Sequence, residues 1–340
     1  RRLGRALPSG HSRSSPEHLR AFDAIERCSM LDMEPPQHTR LRGLVLRAFT
    51  SRRIARLEED IREICADLID TMPTGRFDLI PTYCTSVPVR IIARLLGVPE
   101  SMAPDLLRWS NTMVAMYQAG RTRTTEEAAD RAAAEFTDFL KAHITARRTD
   151  PRDDLITELI AAEQDGKRLS TEEMIGTCVL LLNAGHEATV HTLGNGVKLL
   201  LENNIDQSAL APVQIAATVE EILRFDPPLH MFTRYAYEDI EVGQHVLEKG
   251  AQVALILGAA GRDPRVCLRP DMFDPWRVDC THAAFGGGLH FCVGAPLARM
   301  ELQIALSMLF AARPELRLSE KPSYADMYHF HGLTRLMVES

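Results

Sequence analysis

One uninterrupted helical pattern, from Met174 to Leu201, limits the possible folds of this chain more than any other feature. The residues just before it, Ser170-Thr-Glu-Glu173, are typical of a helix N-terminus. A helix of that length would be about 40 Å long. We therefore expect it to cross the molecule in a central, buried position.

Other segments share the helical spacing of apolar residues. They begin with a helix introduced by Pro35 and Pro36, continue over residues 54–68, 89–96, 104–117, 126–147 and 154–163, and resume with a helix ending near Phe225 and another over 295–310. Alternating apolar residues predict short strands over 233–237, 240–242 and 253–257 and near Val338, whereas residues 1–34 lack regular spacing. We expect one mainly α domain with small β-sheets over residues 1–340.

The composition excludes two classes of protein. The 340 residues are 45% hydrophobic and 25% charged, as in water-soluble globular proteins, and no apolar run approaches the length of a membrane helix. The net charge of -7 does not favour a nucleic-acid binder. We expect neither a membrane protein nor a nucleic-acid partner.

The seven cysteines are odd in number and lack both a C-x-x-C pair and zinc-ligand spacing. This pattern indicates a reducing compartment, hence a cytoplasmic protein whose cysteines are mostly buried apolar residues. The first residue is Arg1 instead of Met, which favours an N-terminally truncated chain.

The segment Phe285-Gly-Gly-Gly-Leu-His-Phe-Cys-Val-Gly294 carries the clearest chemical signal. Its glycines allow backbone to approach a flat, bulky ligand, and amide N–H groups near a helix start stabilise a thiolate. Such a sulfur is a good iron ligand. The alternative, a glycine-rich turn around a buried cysteine, suits a shorter fragment better than this complete ten-residue string.

This segment resembles the proximal loop of the cytochrome P450 family, F-G-x-G-x-H-x-C-x-G. Every specified position matches, at Phe285, Gly286, Gly288, His290, Cys292 and Gly294. The resemblance extends over residues 33–340 and implies the P450 fold, a haem b cofactor, and Cys292 as the axial thiolate ligand of the iron.

Two further P450 landmarks surround this loop. The segment Glu221-Ile-Leu-Arg224 resembles the family's E-x-x-R pair, and Arg277 ends a segment that resembles the region whose arginine bonds to that pair. Alone, E-x-x-R would be an ordinary surface ion pair. The resemblance implies instead that Glu221, Arg224 and Arg277 form a buried structural triad.

The two haem propionates need cationic partners inside the protein. His38 and Arg42 are four residues apart, so they share a helix face, and H-T-R-L-R resembles the family's propionate-binding helix. Arg234 and His290 match two further propionate contacts of the family. A solvated polar side chain is the ordinary interpretation of His38 alone.

On the long helix, Ala184-Gly-His-Glu-Ala-Thr189 resembles the family's oxygen-binding stretch, A-G-x-[DE]-T-T. Ala184 and Gly185 would leave room for dioxygen, and Glu187 would help to deliver protons. Ala188 departs from the family, which has a threonine there. Thr189 lies about 100° further round the helix and should not face the same space. Either the substrate or an ordered water supplies the missing hydroxyl, or the reaction needs less of the proton relay.

Two other patterns on this chain carry weaker signals. His186 and His191 are five residues apart, which does not favour the H-E-x-x-H zinc site. Seven residues fall where the family's substrate-facing segments lie, and packing in the core is the alternative for each. They are Met113, Met116, Tyr117, Asn183, Met231, Phe232 and Phe330.

The resemblance implies a monooxygenase that inserts one oxygen atom from O2 into a small hydrophobic organic substrate. No P-loop, dinucleotide fingerprint or flavin domain is evident, so electrons should come from a ferredoxin and its NAD(P)H-dependent reductase. The basic residues after His38, with Arg262 and Arg265, are candidates for the docking face, and we expect a monomer. Two alternatives remain: a peroxide-using haem-thiolate enzyme, and a non-catalytic haem sensor.

Overall fold

The computed structural model describes residues 2–8, 16–118, 120–164, 166–278, 280–327 and 329–340. These residues are mainly helical. The α-helices are α1 (Arg20–Glu26), α2 (Gln37–Ala48), α3 (Ser51–Asp70), α4 (Ser86–Leu96), α5 (Ala103–Val114), α6 (Arg123–Thr149), α7 (Leu155–Ala161), α8 (Thr171–Glu202), α9 (Ile215–Phe225), α10 (Leu257–Ala260) and α11 (Ala295–Ala312). Shorter 3-10 or π-helical turns include Glu17–Leu19, Ile80–Cys84 and Ala115–Tyr117.

The strands are short and form small antiparallel sheets. They are β1 (Leu3–Gly4), β2 (Arg76–Asp78), β3 (Glu163–Gln164), β4 (Lys167–Arg168), β5 (Met231–Ala236), β6 (Ile240–Val242), β7 (His245–Leu247), β8 (Gln252–Ile256), β9 (Arg317–Leu318), β10 (Ser323–Tyr324), β11 (Leu333–Arg335) and β12 (Met337–Glu339). Within the described residues, two sheets have three strands, in the orders β1-β5-β8 and β2-β12-β9, and three have two. The prediction of a mainly α fold with small β-sheets is confirmed.

Helix α8 is the central element. The Ser170 side chain accepts a hydrogen bond from the Glu173 N–H while the Glu173 side chain accepts from the Ser170 N–H, a capping box that fixes where the helix begins. Its glycines allow close packing: a methyl group on Gly194 would lie 2.8 Å from Ile80 Cδ1. The predicted central position is thus observed. In the described parts of the chain, no helix is both long enough and apolar enough to cross a membrane.

Helix α11 holds the cysteine loop against this core. It begins directly after Gly294, with Pro296 in its first turn, where a missing N–H costs nothing. Leu302, Ile304 and Leu309 are buried where α11 packs on α3, α8 and α9. The start of the helix, and with it the preceding loop, is therefore fixed relative to α8.

The N-terminal region is more regular than predicted. Residues 1–34 were expected to form loops, but β1 pairs with β5 and α1 packs on α6 and α8. Leu19, Phe22 and Ile25 are buried there at helical spacing. Three apolar positions span less than two helical turns, too few to separate a helix from a loop by periodicity.

The sequence predicts mostly buried apolar cysteines in a reducing compartment, and two of the seven do not fit that pattern. Cys267 and Cys280 form a disulfide, so their presence no longer supports a reducing compartment. Their pairing depends on how the irregular segment between them turns back, which residue spacing does not show. Cys65, Cys84 and Cys178 are buried free thiols, as predicted, and burial raises the pKa of Cys65 to about 11.

Glu301 on α11 provides a test of this packing. Burial raises the pKa of its carboxyl well above the usual range. The folded state therefore keeps a proton that the unfolded chain loses near about pH 4.3, so this residue costs stability as the pH rises. Glu301→Gln should raise the melting temperature by about 2–4 °C at pH 8 and leave it unchanged at pH 4, measured by circular dichroism.

The exposed Glu59 on α3 is the matched control. Glu59→Gln should leave the melting temperature unchanged at both pH values. An equal rise at pH 4 and pH 8 for Glu301→Gln would contradict the assignment of the effect to ionisation.

Candidate active site

The loop before α11 places a thiol next to a helix N-terminus. Gly286 and Gly288 have φ angles of 69° and 67°, in the left-handed region that favours glycine. The Cys292 N–H donates to the Phe285 carbonyl at 3.0 Å, which closes the loop. Burial raises the pKa of the Cys292 thiol, although N–H groups of Gly294 and Ala295 and the charge of Arg42 act in the opposite direction.

Basic side chains on α2 and on the loop lie together. Arg42 Nη2 donates to the carbonyl of Phe291 at 2.6 Å. The ring centroids of His38 and His290 are 4.4 Å apart, and His38 is only 1% exposed. His38, Arg42 and His290, which were predicted to contact the propionates, therefore lie close together beside Cys292.

Arg234 extends this basic region from β5. Its guanidinium carbon lies 5.9 Å from the centroid of the Phe232 ring, and that of Arg5 lies 5.3 Å from the same centroid. The Arg5 N–H donates to Glu34 Oε1 at 2.6 Å, and the same oxygen lies 3.7 Å from His290 Nε2. The contacts therefore connect Arg234 to His290 through Phe232, Arg5 and Glu34.

Sequence reasoning missed Arg5 and Glu34. Both belong to the region predicted to be irregular, and neither lies in a motif. The sequence alone does not indicate that these two charged residues belong to the site, because their contacts depend on where the fold places β5. Their contacts extend the basic site to residues that precede α2.

Glu187 is held on α8 between two histidines. Its carboxylate oxygens lie 3.4 Å from His191 Nε2 and 3.9 Å from His186 Nδ1. Burial alone would raise the pKa of Glu187, but the side-chain contact with His191 outweighs it, so the pKa lies below its usual range. Burial lowers the pKa of His186 to about 4, so its imidazole is neutral at pH 7. Glu187 is therefore ionised at neutral pH.

Two glycines define the space around this part of α8. A methyl group on Gly185 would lie 3.0 Å from Ile92 Cδ1, so its small size permits close packing of α8 on α4. A methyl group on Gly332 would overlap the His191 ring. Gly332 was not predicted, because its role follows only from the approach of the C-terminal segment to α8.

The hydroxyl of Thr189 does not replace the one absent at position 188. Thr189 Oγ1 donates to the carbonyl of Gly185 at 2.8 Å, and Thr192 Oγ1 donates to the carbonyl of Ala188 at 2.7 Å. Both hydroxyls thus bond to carbonyls of their own helix. This agrees with the expectation that Thr189 faces a different direction from position 188.

Glu221, Arg224 and Arg277 form a buried network. Arg224 donates to both Glu221 oxygens, at 2.7 and 2.8 Å, and Arg277 Nε lies 3.2 and 3.3 Å from them. The Glu221 and Arg224 side chains are 2% and 1% exposed. Arg224 and Arg277 both donate to the carbonyl of Met272 as well. The network ties α9 to the irregular segment before the cysteine loop.

The residues selected as substrate contacts are placed in different environments. Tyr117 and Asn183 line one small cavity, where Tyr117 donates to Glu26 at 3.0 Å. Asn183 Oδ1 is buried without a hydrogen-bond partner among the described residues.

Met113 and Met116 belong to the apolar core. Met231 and Phe232 start β5, and Phe330 packs against His191, with their ring centroids 5.6 Å apart.

Comparisons with known proteins agree with this geometry. Residues 214–312 match the family model for cytochrome P450. The chain is 41% identical over 298 residues to cytochrome P450 107B1 of Saccharopolyspora erythraea, covering 86% of this chain and 72% of that protein. This chain belongs to the cytochrome P450 family. Vitamin D(3) 25-hydroxylase of Pseudonocardia autotrophica is 40% identical over 334 residues, covering 95% of this P450 and 81% of that protein.

A solved structure has the same fold. The crystal structure of P450BioI in complex with an acyl carrier protein ligated to hexadec-9Z-enoic acid superposes with a TM-score of 0.91 at 32% identity. The alignment covers 98% of this P450 and 87% of that chain. The predicted P450 fold and enzyme class are therefore confirmed.

The P450 family uses haem and dioxygen, and the donors in this P450 suit an iron porphyrin. A thiol is a suitable iron ligand, and imidazole and guanidinium groups are suitable partners for propionates. Cys292, His38, Arg42 and His290 provide these groups within one region, and Arg234 reaches it through Phe232. These side chains are therefore suitable for holding a haem group.

The buried network makes a direct prediction. Glu221→Gln removes the carboxylate that both arginines share and leaves a buried guanidinium without its counter-charge. The unfolding free energy should fall by about 3–5 kcal/mol, measured by urea denaturation. The control is Glu58→Gln, which removes an exposed pair with Arg62 and should cost less than about 1 kcal/mol. Equal losses for the two variants would contradict a structural role for the network.

Proposed function

We propose that this P450 is a monooxygenase in which Cys292 Sγ would hold the iron of haem b. One oxygen atom from O2 would enter a small, mostly hydrophobic organic substrate and the other would leave as water, with two protons and with two electrons from outside the chain. The observation that carries the proposal is the position of Cys292, next to the start of α11 and beside the basic groups of α2. When bound, the haem supplies oxygen activation and transfer to the substrate.

The protein residues orient the cofactor. His38 and Arg42 on α2, His290 on the loop and Arg234 on β5 would hold the propionates, and N–H groups of Gly294 and Ala295 stabilise the thiolate. Gly286 and Gly288 would allow the loop backbone to approach a flat cofactor closely. The triad of Glu221, Arg224 and Arg277 keeps the segment before the loop in place.

Glu187 is the proton carrier in this proposal. Its ionised carboxylate can accept a proton from solvent or from a neighbouring histidine and release it towards the oxygen-binding side of α8. Gly332 keeps His191 in position beside it. With Ala188 in place of an alcohol, one further hydroxyl is needed to complete the path.

We assign that hydroxyl to the substrate. The bonds of Thr189 and Thr192 to helix carbonyls favour this assignment, because each hydroxyl proton is already donated within the helix. The unpartnered Asn183 Oδ1 also favours a substrate with a hydroxyl, since a buried acceptor is stabilised by a donor. The substrate class is therefore a mostly apolar molecule with at least one hydroxyl group.

A two-by-two experiment tests this assignment. Product formed per NADH is measured for wild type and Ala188→Thr, each with a hydroxyl-bearing substrate and with its deoxy analogue. Wild type should lose roughly tenfold in coupling with the deoxy analogue, and Ala188→Thr should recover most of that loss. Equal coupling in all four combinations would remove the substrate hydroxyl from the proton path.

Oxygen labelling tests the reaction class. Under 18O2, with a ferredoxin, its reductase and NADH, the product should gain one labelled oxygen atom.

Ala188 also favours a second candidate, a peroxide-using enzyme, because that reaction requires less proton delivery. Turnover with hydrogen peroxide but none with the ferredoxin system would support the second candidate over the first.

Electrons reach the haem through a docked ferredoxin in this proposal. Arg47 and Arg52 are exposed on α2 and α3, whereas Arg262 and Arg265 pair with Asp271 and Asp263. Of these four candidates among the described residues, Arg47 and Arg52 are therefore better placed than Arg262 and Arg265 to attract an acidic partner. A ferredoxin, which is acidic, would be attracted to that side.

Reduction rates test this docking face. Arg47→Glu should slow ferredoxin-dependent reduction roughly tenfold at low salt, and added salt should reduce the difference. Arg317→Glu, on β9, is the control and should have little effect. Rates that do not depend on ionic strength would contradict electrostatic docking.

A further inference from the structure

A second group of metal-binding side chains lies apart from the cysteine loop. Asp226, His230 and His331 each offer one ligand atom, and these atoms all lie within 4.8 Å of one another. Asp226 ends α9, His230 immediately precedes β5, and His331 comes from the C-terminal segment. Three segments distant in sequence therefore bring two imidazoles and one carboxylate together.

Hydrogen bonds and ring stacking hold Asp226, His230 and His331 in place. Asp226 Oδ1 lies 3.0 Å from His331 Nε2, and the Tyr324 hydroxyl donates to the other Asp226 oxygen. Asn195 Nδ2 donates to the carbonyls of Asp226 and His331, at 3.3 and 3.0 Å. Hydrogen bonds of this kind orient metal ligands and increase metal affinity. The His230 and His331 rings stack with centroids 3.8 Å apart.

One side of the group opens on a cavity of about 460 Å³. Ile256 and Gly258 line its wall, and Lys198 and Arg262 supply positive charge. The His331 side chain is 23% exposed and Asp226 is 10% exposed. An ion can therefore reach the group from solvent, and the cavity leaves space for a water or an anion as a further ligand.

We propose that Asp226, His230 and His331 bind a divalent transition-metal ion of the zinc class. Two histidines and one carboxylate, with an open position, are a common ligand set for such ions. Ligands of a tetrahedral zinc ion lie about 3.3 Å apart, given bonds of about 2.0–2.1 Å. The observed separations exceed this by about 1.5 Å at most. Binding would therefore draw the ligand atoms together and turn the His230 and His331 rings out of their stacked arrangement.

The bound ion would join two segments that carry residues selected as substrate contacts. His230 directly precedes Met231, and His331 directly follows Phe330, whose backbone pairs with Leu229. An ion held by both histidines would fix these neighbours relative to each other. The site is independent of the proposed monooxygenase activity, because neither its ligands nor its test involves the thiolate.

Zinc binding to the purified holoenzyme tests the proposal. After removal of metals with a chelator, isothermal titration calorimetry with zinc chloride should show one more tight site per chain in wild type than in the double variant His230→Gln/His331→Gln. The matched control is His245→Gln, an exposed histidine on β7, which should bind zinc as wild type does. Equal stoichiometry in wild type and the double variant would overturn the proposal.

A measurement on wild type alone covers the case of a variant that fails to fold. Diethyl pyrocarbonate modifies accessible histidines, and peptide mass mapping reports the rate for each one. Stoichiometric zinc should slow the modification of His230 and His331 at least fivefold and leave His245 unchanged. Unprotected His230 and His331 in zinc-loaded protein would overturn the proposal even if zinc binds elsewhere.

Discussion

The carboxylate of Glu221 is the interaction on which the candidate active site depends. It accepts hydrogen bonds from Arg224 and Arg277 and from the backbone N–H of Asp274. Two buried guanidinium groups near one carboxylate are stable only where every remaining donor is also satisfied. Carbonyls of Gly261, Leu268, Pro270 and Met272, among others, satisfy these donors. The irregular segment before the cysteine loop thus takes its shape from one charge on α9.

The candidate site also depends on helix α8, which is packed tightly but differs from the family pattern at Ala188. Its capping box and its close packing at Gly185 and Gly194 fix its position. The contact with His191 favours the ionised form of Glu187, yet the alcohol normally expected one residue later is replaced by Ala188. In the proposed function, the helix therefore presents an acid and a methyl group to the oxygen-binding side, and the substrate supplies the missing hydroxyl.

The elements that could be predicted from the sequence have local signals. The Ser170 cap and the long apolar pattern predicted α8, and the glycine spacing around Cys292 predicted the loop that precedes α11. His38 and His290 belong to two motifs that both imply propionate contacts, and their positions beside each other agree with that resemblance.

The remaining features depend on contacts between distant segments. Arg5 reaches Phe232 only because β1 pairs with β5, and Gly332 matters only because the C-terminal segment passes His191. The Cys267–Cys280 disulfide and the group at Asp226 likewise require a turn or a meeting of segments that residue spacing does not encode. Polar side chains without a motif give no signal until the fold places them together.

Ligation of the iron by Cys292 is tested by the difference spectrum of the reduced protein with and without carbon monoxide, in wild type and in Cys292→Ser. A thiolate ligand shifts the Soret band of that complex to a longer wavelength than a neutral ligand does. We expect the shifted band in wild type and its loss in Cys292→Ser. The same shifted band in both proteins, or its absence from haem-loaded wild type, would contradict ligation of the iron by Cys292.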